Sequence, residues 1–89
     1  MQRRTCYFGG RVQGVGFRYT VQNIAMQYDV RGFVRNLPDG RVELVIEGLD
    51  DELDRMVQDV RNRMNDYIRD VRCDTAPATE EFAQFNIKH

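Results

Sequence analysis

The chemistry-bearing residues of this chain concentrate in Gly10-Arg11-Val12-Gln13-Gly14-Val15-Gly16-Phe17-Arg18, a glycine-punctuated loop that ends on an arginine and runs into a helix. Gly14 and Gly16 carry no Cβ and adopt positive φ at little cost, so successive backbone N–H groups can turn inward toward one ligand. The helix that follows adds unpaired N–H donors and a positive dipole end at the same spot. Arg18 supplies a planar fork that matches two oxygens of a phosphate or carboxylate. These parts describe a pocket for a small, multiply charged anion such as a phosphoryl group.

Two commoner phosphate motifs are absent. A Walker loop needs GxxxxGK[ST], and Arg18-Tyr19 stands where Lys-Ser or Lys-Thr would be. A Rossmann fingerprint needs a third glycine where this chain has Tyr19. On the glycines alone, an ordinary strand-to-helix loop packed tightly through glycine fits about as well as an anion cradle.

The full string resembles the signature of the acylphosphatase family, GRVQGVGFR. A second segment, Gly32-Phe33-Val34-Arg35-Asn36-Leu37-Pro38-Asp39-Gly40-Arg41-Val42-Glu43, is similar to the family's G-(W/F/Y)-V-x-N-x-x-(D/N)-G-x-V-E, and Phe85-Asn86-Ile87 to its closing F-x-I. The resemblance implies that the amides of Gln13, Gly14, Val15, Gly16, Phe17 and Arg18, with the Arg18 guanidinium, hold a phosphate. It implies that Asn36 orients an attacking water. It also implies hydrolysis of a small acyl phosphate without cofactor or metal, with inorganic phosphate or sulfate as competing ligands. The bland alternative for Asn36 is an Asx turn into Pro38-Asp39-Gly40.

The rest of the inventory agrees with chemistry of that kind. Serine is absent, neither cysteine lies in the loop, and the single histidine, His89, is the last residue and reads as a solvated end. The usual covalent nucleophiles are therefore missing, and no His, Cys and acidic cluster has metal-ligand spacing. An acyl phosphate has a good carboxylate leaving group, so positioning and electrostatics can supply most of the acceleration.

Charge is unevenly distributed. The net charge is −1, which argues against bulk nucleic-acid binding. Yet residues 1–41 hold seven arginines against Asp29 and Asp39, a net of +5, while residues 42–89 carry −6. The loop sits in the positive half, which favours a small anion within roughly a Debye length. Arg3, Arg4 and Arg41 read as solvated surface. Two cysteines are too few for a disulfide framework, so Cys6 and Cys73 read as buried free thiols on neighbouring strands and the compartment as the cytoplasm. No apolar run reaches membrane-spanning length.

The elements that must position these residues follow from periodicity. Alternation at Cys6, Phe8, Gly10 and Val12 predicts a first strand, and Phe17, Val21, Ile24, Ala25 and Tyr28 predict a helix over roughly 18–28. Residues 30–36 and 41–47 read as a hairpin closed by Leu37-Pro38-Asp39-Gly40. Leu53, Met56, Val57, Val60 and Met64 form the apolar stripe of a second helix. Ile68, Val71 and Cys73 suggest strand four, and Ala83, Phe85 and Ile87 a closing strand. The order predicts an α+β, ferredoxin-like split βαβ domain over residues 1–89, with two helices on one face of a mixed sheet and a short extra C-terminal strand. That topology hosts many functions. RNA recognition needs stacking aromatics on strand three, and Arg41-Val42-Glu43-Leu44-Val45-Ile46-Glu47 offers none.

Two positions depart from the family pattern. Asp29 replaces the glycine that ends the first helix and would visit the left-handed region there. Arg63-Met64-Asn65-Asp66-Tyr67 replaces a Gly-Pro after the second. The reading is a monomeric acylphosphatase with no membrane or nucleic-acid partner, Met1 and the closing strand favouring a complete protein. A non-catalytic anion-binding module, and an acylphosphatase-like domain of a carbamoyl-transferring protein, stay open as alternatives.

Overall fold

A computed structural model describes residues 1–89 as β1 Gln2–Gly10, α1 Phe17–Ala25, β2 Arg31–Asn36, β3 Val42–Gly48, α2 Asp50–Arg63, β4 Ile68–Pro77 and β5 Phe85–Lys88. The five strands form one sheet in the order β4-β1-β3-β2-β5. β3 is antiparallel to both β1 and β2, β4 is antiparallel to β1, and β5 joins β2 in parallel. This is the expected split βαβ arrangement with its extra strand.

Sequence periodicity explains the core. On β3, Val42, Leu44 and Ile46 face the helices and are fully buried, meeting Phe17, Val21 and Ile24 of α1 and Leu53, Met56 and Val60 of α2 in one cluster. Each such side chain contributes about 1.5–3 kcal/mol through removal from water. Asp50, Asp51 and Glu52 in the first turn of α2 and Arg61 and Arg63 in its last turn complement the helix dipole.

The opposite sheet face has no helix over it, yet Glu43, Val45 and Glu47 of β3 are also buried. Their cover is built from long polar and aromatic side chains. Tyr7 Oη donates to Glu43 Oε2 at 3.0 Å and Arg35 Nε to Glu43 Oε1 at 2.6 Å, while Phe33 meets Phe82 edge-on. The cation of Arg3 lies 5.0 Å from the centre of the Phe82 ring. Such layers work because guanidinium groups shield aromatic faces while satisfying buried carboxylates.

Several expectations change. The first helix ends at Ala25 instead of residue 28, because Gln27 and Tyr28 N–H groups donate to Ile24 and Ala25 carbonyls in tighter three-residue turns. Asp29 is not left-handed; the only non-glycine residue at positive φ is Glu80, φ 60°. β5 begins at Phe85, so Ala83 precedes it, and β4 continues past Cys73 to Pro77. Arg3 and Arg4 are not solvated surface. Arg3 pairs with Glu47 and Glu81, and Arg4 donates to Asp54 Oδ1 at 2.5 Å. Arg41 is half-exposed, but it pairs with Asp39 at 2.8 Å and stacks on Tyr7.

The cysteines also differ from expectation. Cys6 and Cys73 stand directly opposite in the β1–β4 register and are joined as a disulfide, with Cys6 buried and Cys73 exposed on the outer strand. The free-thiol reading followed from compartment and count, neither of which contains the register. The cytoplasmic placement loses the argument that rested on unpaired thiols.

Glu47 is the polar anchor of the uncovered face. Its Oε2 accepts from Thr79 N–H at 2.9 Å and Arg3 Nε at 2.8 Å, and its Oε1 from Glu80 N–H at 2.9 Å. Burial pushes this carboxyl up, but the bonds from Thr79, Arg3 and Glu80 outweigh burial and hold it below its ordinary value near 4.5. A folded-state value below the unfolded one stabilises the native state above the unfolded pKa, and that stability is lost as pH falls through the folded value. Thermal melts from pH 7 to pH 2 should show this acid loss. Glu47→Ala should flatten part of it and lower stability at pH 7 by about 1–3 kcal/mol, the scale for orphaning buried donors; Glu81→Ala, on an exposed side chain, should do much less.

Candidate active site

Strand direction gathers the predicted residues. β1 and β2 are both antiparallel to β3, and β5 is parallel to β2, so the C-terminal ends of β1, β2 and β5 lie at one end of the sheet. The 11–16 loop leaves β1 there, Asn36 closes β2 there, and Lys88 ends β5 there. N–H groups at the start of α1 meet the same end of the sheet.

The loop has the conformation its glycines predict. Gly14 and Gly16 sit at φ 77° and 78°, and a Cβ on either would meet no atom within 4 Å. Gly16 is the residue before α1; no side chain caps the helix start and no acidic residue occupies its first turn. Donors and positive dipole end therefore remain unsatisfied and unneutralised. Thr20 stabilises this turn by donating its N–H and its hydroxyl to the Gly16 carbonyl, both at 3.0 Å. Val12 and Phe17 are buried in the core on either side of the loop and pin it, so Phe17 can offer a ligand only its backbone.

Gln13 behaves differently from a simple loop residue. Its side-chain Nε2 donates to the Leu37 carbonyl and to the Arg41 carbonyl, each at 2.9 Å. Those carbonyls flank the β2–β3 turn, which closes through Leu37 N–H to Arg41 carbonyl at 2.8 Å and Gly40 N–H to Leu37 carbonyl at 3.1 Å.

Asn36 does not serve the turn. Its Oδ1 is buried and has no hydrogen-bond partner in the protein. Asp39 takes the Asx role instead, accepting the Arg41 N–H at 3.0 Å, and this bond with the Arg41 side chain holds its carboxyl below the usual range. A buried, unpaired amide oxygen costs free energy.

Arg18 forms no ion pair with a carboxylate. Its Nη1 lies 3.5 Å from the Lys88 carbonyl and 3.3 Å from His89 Nδ1. Sequence reasoning missed this contact and treated His89 as merely solvated. No local signal could have found it, because the pairing of β5 with β2 joins residues more than fifty positions apart. The charge asymmetry is clearer in space than in sequence. Of the seven N-terminal arginines, Arg3, Arg4, Arg35 and Arg41 are neutralised by carboxylates, whereas Arg11, Arg18 and Arg31 are not. Arg11 and Arg18 flank the loop.

The largest concavity, about 370 Å³ and lined by Gln22, Met26, Tyr28 and Phe85 among others, lies at the far end of α1. A small tetrahedral anion held by backbone amides needs no such depth.

Comparison with known proteins gives the family. A sequence model of the family described as Acylphosphatase matches residues 4–87. The chain belongs to the acylphosphatase family. Over 81 residues, 90% of each chain, it is 38% identical to an acylphosphatase of Bacillus licheniformis. It is 48% identical over 62 residues to one of Methanospirillum hungatei, covering 70% of this chain and 68% of that protein. The crystal structure of acylphosphatase from Bacillus subtilis superposes over all of both chains with a TM-score of 0.91 at 34% identity. The same unit also occurs within a longer chain: full-length HypF in a phosphate- and nucleotide-bound form matches 99% of this chain at TM-score 0.81 and 26% identity, over 12% of its own length. The likeness to a domain of a larger protein, left open by the sequence, is thus real at the level of fold.

The glycine loop gives a direct test. Gly14→Ala and Gly16→Ala each force an L-residue into left-handed geometry, costing about 1–2 kcal/mol of stability. The strain should also turn the loop amides out of line, so any melting-temperature increase on adding millimolar inorganic phosphate should shrink in both variants. A full phosphate response in both would show that the anion binds elsewhere.

Proposed function

We propose that this acylphosphatase-family chain hydrolyses small acyl phosphates through the loop 13–18, Arg18 and Asn36. The observation that carries the assignment is the buried, partnerless Asn36 Oδ1 at the same sheet end as the positive-φ glycine loop and the uncapped start of α1. Amides of Gln13 through Arg18 and the Arg18 fork receive the three phosphoryl oxygens, and their pull strengthens as charge develops on those oxygens. The Asn36 side-chain amide hydrogen-bonds a water, once its oxygen is turned to meet it, and fixes the direction of the water's lone pair toward phosphorus. The water oxygen bonds to phosphorus as the bond from phosphorus to the acyl oxygen breaks. That electron pair leaves with the carboxylate, and the water's proton passes to a phosphoryl oxygen. A carboxylate leaves without strong acid catalysis, so the proposed step needs neither a protein acid nor a covalent nucleophile.

Inorganic phosphate and sulfate are proposed as competing ligands, since the cradle matches the tetrahedral anion more than the acyl group. No three His, Cys, Asp or Glu side chains converge to ligate a metal ion, and the proposed chemistry needs neither metal nor organic cofactor. A monomeric state completes the proposal.

Arg18 and Asn36 separate turnover from binding. Arg18→Ala should make release of phosphate from benzoyl phosphate nearly undetectable with the melting temperature close to the parent's, and Arg18→Lys should fail as well, because a point charge cannot reproduce the fork. Asn36→Ala should lower kcat by on the order of 10²–10³ while phosphate Kd, read by calorimetry, changes little. If kcat and phosphate affinity fall together in Asn36→Ala, the residue holds the ligand and the water-orienting role is wrong. Unchanged kcat would make the chain's reaction independent of Asn36. Activity in EDTA should equal activity without it.

A further inference from the structure

The proposed chemistry needs the phosphate cradle and Asn36 at a fixed separation, yet they lie on different elements with a long stretch of chain between them. One side chain spans that gap. Gln13 sits inside the loop by sequence, but both of its side-chain hydrogen bonds run across to the hairpin, to the Leu37 and Arg41 carbonyls at 2.9 Å each. A primary amide carries two N–H donors in a fixed plane, and here they are shared between two carbonyls bracketing the turn that immediately follows Asn36. We infer that Gln13 is a positioning residue, whose side chain sets where Asn36 stands relative to bound phosphate while only its backbone N–H meets the anion. The inference rests on the proposed role of Asn36.

Three features make this arrangement sensitive. Gln13 is flanked by buried Val12 and by Gly14 at positive φ, so its backbone position is set by the loop itself. The Arg41 carbonyl already accepts Leu37 N–H, so the Gln13 amide closes a three-way junction at the mouth of the hairpin. Asn36 has no side-chain partner on its oxygen to hold it in place, so its position depends on its backbone neighbours. A displacement of about 1 Å at a reacting group can cost on the order of 10²-fold in rate.

The test uses Gln13→Met, which keeps the length and removes both donors, and Gln13→Glu, which sets acceptors against two carbonyls. Both are measured for kcat on benzoyl phosphate and for inorganic phosphate Kd by calorimetry, alone and combined with Asn36→Ala. Gln13→Asn replaces either variant that does not fold, since its shorter amide cannot span the same distance. Positioning predicts a kcat lower by about ten- to a hundred-fold, a phosphate Kd within about threefold, and a double variant with Asn36→Ala no slower than Asn36→Ala alone. Undiminished kcat overturns the inference. Parallel loss of kcat and phosphate affinity also overturns it, by placing the side chain's effect on the cradle, as does an additive double variant. Asn36→Ala alone reports on the underlying reading: if that substitution leaves kcat intact, the water-orienting role has failed. Gln13 is then judged by the NMR shifts of the Asn36 side-chain amide, which must move in Gln13→Met if the side chain places Asn36 and which overturn the inference if they do not.

Discussion

Everything at this site depends on β3 lying between β1 and β2 and antiparallel to both. That single pairing constraint makes β1 and β2 run in the same direction without touching. The loop after β1 and the residue ending β2 therefore emerge at one sheet end, at a spacing set by two inter-strand distances of about 4.8 Å each. β3 can hold that place only because it is buried on both faces. Val42, Leu44 and Ile46 supply one face, and Glu43, Val45 and Glu47 the other. Carboxylates in so central a position are tolerable because Arg3, Arg35, Tyr7 and the Thr79–Glu80 amides satisfy them.

The same network explains the odd distribution of charge. An arginine-rich first half and an acidic second half look, along the chain, like a large positive field around the loop. In space most of that field is spent internally, since Arg3, Arg4 and Arg35 reach carboxylates beyond residue 42. What remains near the glycine loop is local: Arg11, Arg18, the helix start and the loop amides. Short-range donors of this kind act by geometry and charge together.

The Cys6–Cys73 pair and the Glu47 junction secure the outer parts of the sheet. β4 has a neighbour on one side only and most of its residues are exposed, so it gains little from burial. A covalent link to the buried Cys6 restrains the chain on which that strand depends. At the opposite corner, Glu47 fixes residues 79–80 and thereby the approach to β5, whose last residues contact Arg18.

Much of this was legible in the sequence. The glycine loop, its positive-φ positions, the helix stripes and the hairpin all arise from interactions within a few residues, where spacing carries the physical information. Family motifs then named Arg18 and Asn36. Tertiary structure decided what depends on distant pairing. It placed Cys6 opposite Cys73, turned Arg3 and Arg4 from presumed surface into structural partners, brought Lys88 and His89 to Arg18, and aimed the Gln13 side chain at the hairpin instead of at a ligand. It also showed that Asp39 makes the turn, leaving the Asn36 oxygen free. The division has one physical cause: local backbone geometry is encoded by neighbouring residue types, whereas a side chain's partner depends on strand order and register, which short sequence windows do not contain.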